Sequence, residues 1–140
     1  MTKKRVLVLC TGNSARSQMG EGLFRKEGGR QYEVVSAGTK PSRVRPEAIA
    51  VMKEIGVDIS GNRSKSVDEF TDQAFDYIVT VCDNARDSCP AFPGVGERIH
   101  WSFEDPAAVE GSEDERRAAF RRIRDQIHER VKTFLRDREE

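Results

Sequence analysis

The 140-residue chain has no net charge, with 24 Lys and Arg against 24 Asp and Glu. That balance excludes the broad positive field by which proteins hold a nucleic-acid backbone or an anionic bilayer, so any anion bound here has to be gripped locally. Long apolar runs are missing as well. The N-terminal run Val6–Cys10 is too short for a membrane span or the core of a secretory signal, so no membrane association and a cytoplasmic location are expected. Cysteine is scarce, at three, and an odd number leaves a thiol unpaired within the chain; in a reducing compartment such thiols serve packing, metal binding or redox chemistry. Histidine is scarcer still, and neither His100 nor His128 completes a ligand set with Cys82 and Cys89, whose spacing is wider than that of a zinc knuckle. No metal is expected. Repeats, low-complexity tracts and interdomain linkers are absent too, and the length suits a single domain over residues 1–140.

What is present alternates between two periodicities. Arg5-Val6-Leu7-Val8-Leu9 is an uninterrupted β-prone run of the kind that fills a strand covered on both faces. A turn at Thr11–Ser14 leads into a helix over Ala15–Lys26, with Met19, Leu23 and Phe24 at helical spacing and Gly28-Gly29 as its end. Tyr32–Ser36 reads as a second strand. Pro46 opens a helix whose Ile49, Met52 and Ile55 share a face before Gly56 stops it. Phe75–Val81 is a third strand and Arg98–Phe103 a weaker fourth. Ser112-x-x-Glu115 is a capping box opening a long helix with Phe120, Ile123, Ile127, Val131 and Phe134 on one stripe, its Arg-rich remainder forming a solvated face. The pattern implies an α/β fold, a three-layer sandwich around a four-stranded, mostly parallel open sheet.

At the first strand-to-helix junction stands Cys10-Thr11-Gly12-Asn13-Ser14-Ala15-Arg16-Ser17. Ligands bind at this edge of an open sheet, and Gly12 and Asn13, both tolerant of left-handed backbone angles, allow the loop N–H groups to converge on one centre. Arg16 can close the cradle with a planar fork suited to a tetrahedral oxyanion. The same field, together with the Ser17 hydroxyl, favours a nucleophilic thiolate at Cys10. The competing reading is an inert buried cysteine with Arg16 on a surface helix; the accompanying strand, turn, serine and helix weigh against it.

The segment VLVLCTGNSARSQMGEG closely resembles the opening of the thioredoxin-coupled arsenate reductases, which share the low-molecular-weight tyrosine phosphatase fold, and SAGTKP, VTVCDNARDSCPAFPG and HWSFEDPA extend the resemblance over nearly the whole chain. It implies that Cys10 attacks arsenate held by Arg16 and the loop Thr11–Ser17, that Asp105 protonates the leaving hydroxyl, and that oxidation passes through Cys82 to Cys89, with thioredoxin as external reductant, no bound cofactor and a monomeric protein. A surface-turn role is the alternative for Asp105. Phosphatases of this fold follow Asp-Pro with aromatic residues, whereas this chain has Ala107-Ala108, which suits a small inorganic anion. Some of these reductases hold a potassium ion with Asn13, Glu21 and Ser36 plus an aspartate; Lys65 occupies what corresponds to the aspartate position, and its ammonium could replace the ion.

Two other functions stay open at this point: a phosphatase needing Cys10, Arg16 and Asp105 but neither other cysteine, and a non-catalytic redox or oxyanion sensor. A further expectation concerns geometry. Pro90 marks the end of a short helix after Cys82. A helix would separate Cys82 and Cys89 by roughly 10.5 Å, too far for the ~4.4–6.8 Å of a disulfide, so oxidation has to unwind that segment.

Overall fold

In the computed structural model, residues 3–82, 92 and 96–138 are described; Cys89 and the expected helix between Cys82 and Pro90 lie outside them. The elements follow in the order β1 (Lys4–Cys10), α1 (Arg16–Gly28), β2 (Tyr32–Gly38), α2 (Pro46–Lys53), β3 (Tyr77–Thr80), β4 (Glu97–His100) and α3 (Glu113–Asp137). The strands form one fully parallel sheet in the order β2-β1-β3-β4.

The β1 run sits where its composition demands: Val6, Leu7, Val8 and Leu9 are all buried, so both faces are covered. Val8 faces α1 and α3, since a Cβ added at Gly20 would come 3.1 Å from Val8 Cγ1 and 3.9 Å from Ile127 Cγ2. Strand alternation turns Leu7 and Leu9 the other way, and they are equally enclosed, which makes the sheet the middle layer of three. On the helical face Trp101 stacks on Phe24, and Phe134 meets Phe24, Trp101 and Tyr77 edge-on.

Three boundaries shift for identifiable reasons. The third ladder spans the expected residues, with Gly96 N–H donating to Phe75 O and Val81 N–H to Leu9 O, but regular strand is confined to Tyr77–Thr80. The fourth strand ends at His100 instead of Phe103, because after Trp101 N–H bonds Thr80 O the chain turns so that Phe103 O meets Arg16. In α3 the capping box at Ser112 and Glu115 forms, but the Arg-rich face is not wholly solvated. Arg124 is 8% exposed, standing four residues after Phe120 and three before Ile127 on the buried stripe. Its Nη1 donates to Val51 O and Glu54, and its Nε to Asp125, so the charge is compensated where it is buried. With Arg116–Glu47 and Arg121–Glu54, it ties α2 to α3.

The strand order also fixes where function can reside. Chain leaving β1 turns toward β2, whereas chain leaving β3 heads toward β4, so a crevice opens between the carboxyl ends of β1 and β3. Cys10 ends one of those strands and Cys82 follows the other.

Candidate active site

The loop between Cys10 and Arg16 is wrapped from outside. Cys10 O accepts from Thr39 N–H, Thr11 O from Lys40, Gly12 O from Ser42 and Ser64 Oγ, Asn13 O from Gln18 Nε2, and Ser14 O from Arg45. In a planar trans peptide the N–H points opposite to the carbonyl, so five carbonyls drawn outward turn the amides of residues 11–15 inward. Asn13 N–H donates to Cys10 Sγ at 3.2 Å, and the Ser17 hydroxyl lies 2.8 Å from the same sulfur. The result is a nest of donors with a sulfur at its base.

Asn13 holds this shape. It adopts φ 47°, and its amide is fully used, donating to Ser17 and Ser36 and accepting from Gln18 Nε2 and Lys65 N–H. Gly12, equally tolerant of left-handed angles, does not adopt them; its lack of a side chain serves close packing, since a Cβ would lie 3.2 Å from Ser42 Oγ. Gly38 has the sharper requirement. A Cβ there would fall 2.4 Å from Thr11 O and 2.8 Å from Asn13 N, so the end of β2 has to be bare for the loop to lie against it. Gln18, Gly38 and Asn62 were not singled out by sequence reasoning; for Gly38 the only signal was its place at the end of a strand.

Arg16, half-buried, donates Nη1 to Phe103 O at 3.0 Å, and its Nη2 stands 3.9 Å from Asp105 Oδ2. Asp105 is exposed, and its other oxygen caps the short 3-10 turn Pro106–Ala108 by accepting from Ala107 N–H. Arg16 thus faces Asp105 at the far end of the loop that begins with Cys10. Cys82 stands at the same edge of the sheet: it is 5% exposed, with Sγ 3.3 Å from the Thr11 hydroxyl. The β1–β3 register sets Cys82 one residue diagonal to Cys10.

Beneath the loop lies Glu21, buried, with one oxygen accepting from Ser36 Oγ and the other from Asn62 Nδ2 and Arg25. Lys65 Nζ stands 3.8 Å from it. Burial pulls the Lys65 ammonium below its usual pKa, and the Glu21 charge opposes that shift. The Lys65 ammonium therefore faces Glu21, one of the residues considered for a potassium ion, while donating to Arg63 O at 3.1 Å. Among the described residues no group of three metal-ligating side chains forms, and no helix is long and apolar enough to cross a membrane.

Residues 5–140 match the model of the low molecular weight phosphotyrosine protein phosphatase family. The chain belongs to that family. Within it, the chain falls among the arsenate reductases of this fold: it is 50% identical over 134 residues, 96% of either chain, to the arsenate reductase of Halalkalibacterium halodurans. A solved arsenate reductase in the phosphate binding state superposes with a TM-score of 0.80 at 32% identity, covering 97% of this chain and 99% of the other. The thioredoxin-dependent arsenate reductase of Corynebacterium glutamicum gives a TM-score of 0.74 at 28% identity, over 96% of this chain and 61% of that one. The Cys10–Ser17 loop thus sits in a family fold for which a phosphate-bound state has been solved.

Proposed function

We propose that this protein reduces arsenate to arsenite, with thioredoxin as the external reductant. One observation carries the reading beyond family membership: a second buried thiol, Cys82, stands against Thr11 on the rim of the loop that begins with Cys10. A phosphatase has no use for it.

Arsenate seats its oxygens in the loop Thr11–Ser17, on the inward amides of residues 11–15, and on Arg16. The Cys10 thiolate displaces hydroxide from arsenic, Asp105 supplies the proton that lets it leave as water, and a sulfur–arsenic bond remains. Cys82 thiolate then attacks the Cys10 sulfur; the electron pair of the broken bond stays on arsenic, which leaves as arsenite. Cys89 attacks the Cys82 sulfur next, freeing Cys10, and a thioredoxin dithiol reduces the Cys82–Cys89 bond. No bound cofactor takes part, since the electrons come from thiols. The reading further assigns a cytoplasmic, monomeric enzyme of one domain. Ala107 and Ala108 after Asp105 support a small anion over an aryl phosphate.

The test is NADPH consumption with arsenate, thioredoxin and thioredoxin reductase. Cys10→Ser is expected to abolish it, and Cys89→Ser to complete about one turnover and stall as a Cys10–Cys82 disulfide. Multiple turnovers by Cys89→Ser would refute the relay. Hydrolysis of aryl phosphate unaffected by loss of both Cys82 and Cys89, with no arsenate turnover, would make the protein a phosphatase.

A further inference from the structure

The chain is neutral overall, yet its charge is not evenly placed around the Cys10 loop. The segment after β2 carries Lys40, Arg43 and Arg45, and it is stitched to the loop by backbone bonds: Lys40 N–H to Thr11 O at 2.8 Å, Ser42 to Gly12 O at 3.0 Å, and Arg45 to Ser14 O at 2.9 Å. These bonds hold the cation-bearing backbone about one strand spacing from the oxyanion loop. Lys40 and Arg43 are exposed and Arg45 half-buried. Among the described residues none of the three has an ion-pair partner, although most of the other arginines pair with a carboxylate. Among the described residues, three acids are already engaged: Asp105 faces Arg16, Glu104 pairs with Arg122 and Glu47 with Arg116.

We propose that Lys40, Arg43 and Arg45 form a cationic collar that concentrates small dianions at the Cys10 loop without touching them. The chemistry it selects is a doubly charged tetrahedral oxyanion over a neutral or singly charged one. It deepens the reading as an arsenate reductase, because a neutral arsenite product feels no such field and leaves unhindered. The backbone tethers matter because they root the three side chains beside the loop, so that each charge stays within a side chain's reach of it. Taking about 10 Å, one strand spacing plus a side chain's reach, three cations raise the occupancy of a dianion roughly tenfold at about 10 mM ionic strength. At about 1 M, where the Debye length is about 3 Å, almost none of that gain survives.

The experiment measures inorganic phosphate binding calorimetrically to the full chain, wild type against the triple variant Lys40→Gln, Arg43→Gln, Arg45→Gln. Phosphate needs no reduction, so the result stands apart from the fate of the arsenate reading. The expected outcome is a Kd raised about tenfold at about 10 mM ionic strength and less than about 1.5-fold at about 1 M, with Lys40→Arg, Arg43→Lys, Arg45→Lys binding like wild type. A charge-conserving variant that also binds poorly, or a loss that persists in high salt, would show a packing role and overturn the proposal. Unchanged phosphate binding would overturn it as well; combined with a raised KM for thioredoxin, it would reassign the three cations to docking an acidic protein.

Discussion

Asn13→Ala removes a side chain that fastens the oxyanion loop to α1, β2 and the segment around Lys65 at once. Four hydrogen bonds go with it, two donated to Ser17 and Ser36 and two accepted from Gln18 and the Lys65 N–H. Three of those partners keep another bond: Ser17 to Cys10, Ser36 to Glu21, and Gln18 to Arg63 O. The loss is therefore nearer the net value of a hydrogen bond than the full cost of an orphaned one, about 3 kcal/mol for the four. Alanine at φ 47° adds roughly 1 kcal/mol of backbone strain. The sum, about 4 kcal/mol, is a large part of the stability of a domain of this size. Urea unfolding followed by circular dichroism measures it, with an unchanged m-value as the sign that the folded state keeps its extent. Asn13→Gly loses the same bonds without the strain and should be about 1 kcal/mol more stable than Asn13→Ala. A loss under about 1.5 kcal/mol for alanine, or glycine no better than alanine, would mean that the loop keeps its shape by some other means.

Two more perturbations probe neighbouring contacts. Gly38→Ala would drive a methyl into Thr11 O and Asn13 N, both backbone atoms, so the expected result is a loss of about 1–3 kcal/mol and a weakened grip on phosphate; unchanged phosphate affinity would show that the loop can lift from β2 at no cost. At the α2–α3 joint, hydrogen bonding from Arg121, aided by Arg124 and opposed by partial burial, lowers the Glu54 pKa from 4.5 to about 2. A depressed carboxylate stabilises the fold above its unfolded pKa and loses that contribution as pH falls through the folded one. Glu54→Gln should accordingly cost about 1 kcal/mol at pH near 7, discounted for exposure, and the gap to wild type should close between about pH 4.5 and 2 in acid-denaturation curves. A gap that stays constant over that window would show that the ion pairs do not contribute.

Much of this architecture is written locally. An apolar run without alternation can only be a strand covered on both sides, and Ser112 and Glu115 mark a helix start by their own chemistry, so strands, helices and the Cys10–Ser17 loop follow from residues close in sequence. Their limits are less legible, because β4 ends where Phe103 is needed by Arg16 and not where β-propensity runs out. Arg124 shows the same limit: its neighbours in sequence are charged, and only the approach of α2, with Val51 O and Glu54, makes its burial tolerable. Gly38 reads as an unremarkable glycine until Thr11 and Asn13 are laid across it. The same holds for the pairing of thiols. Sequence places Cys10 and Cys82 far apart, and nothing local relates them; the parallel β1–β3 register brings Cys82 against Thr11, the residue after Cys10, at the point where strand order reverses, because chemistry between distant residues is set by which strands are neighbours.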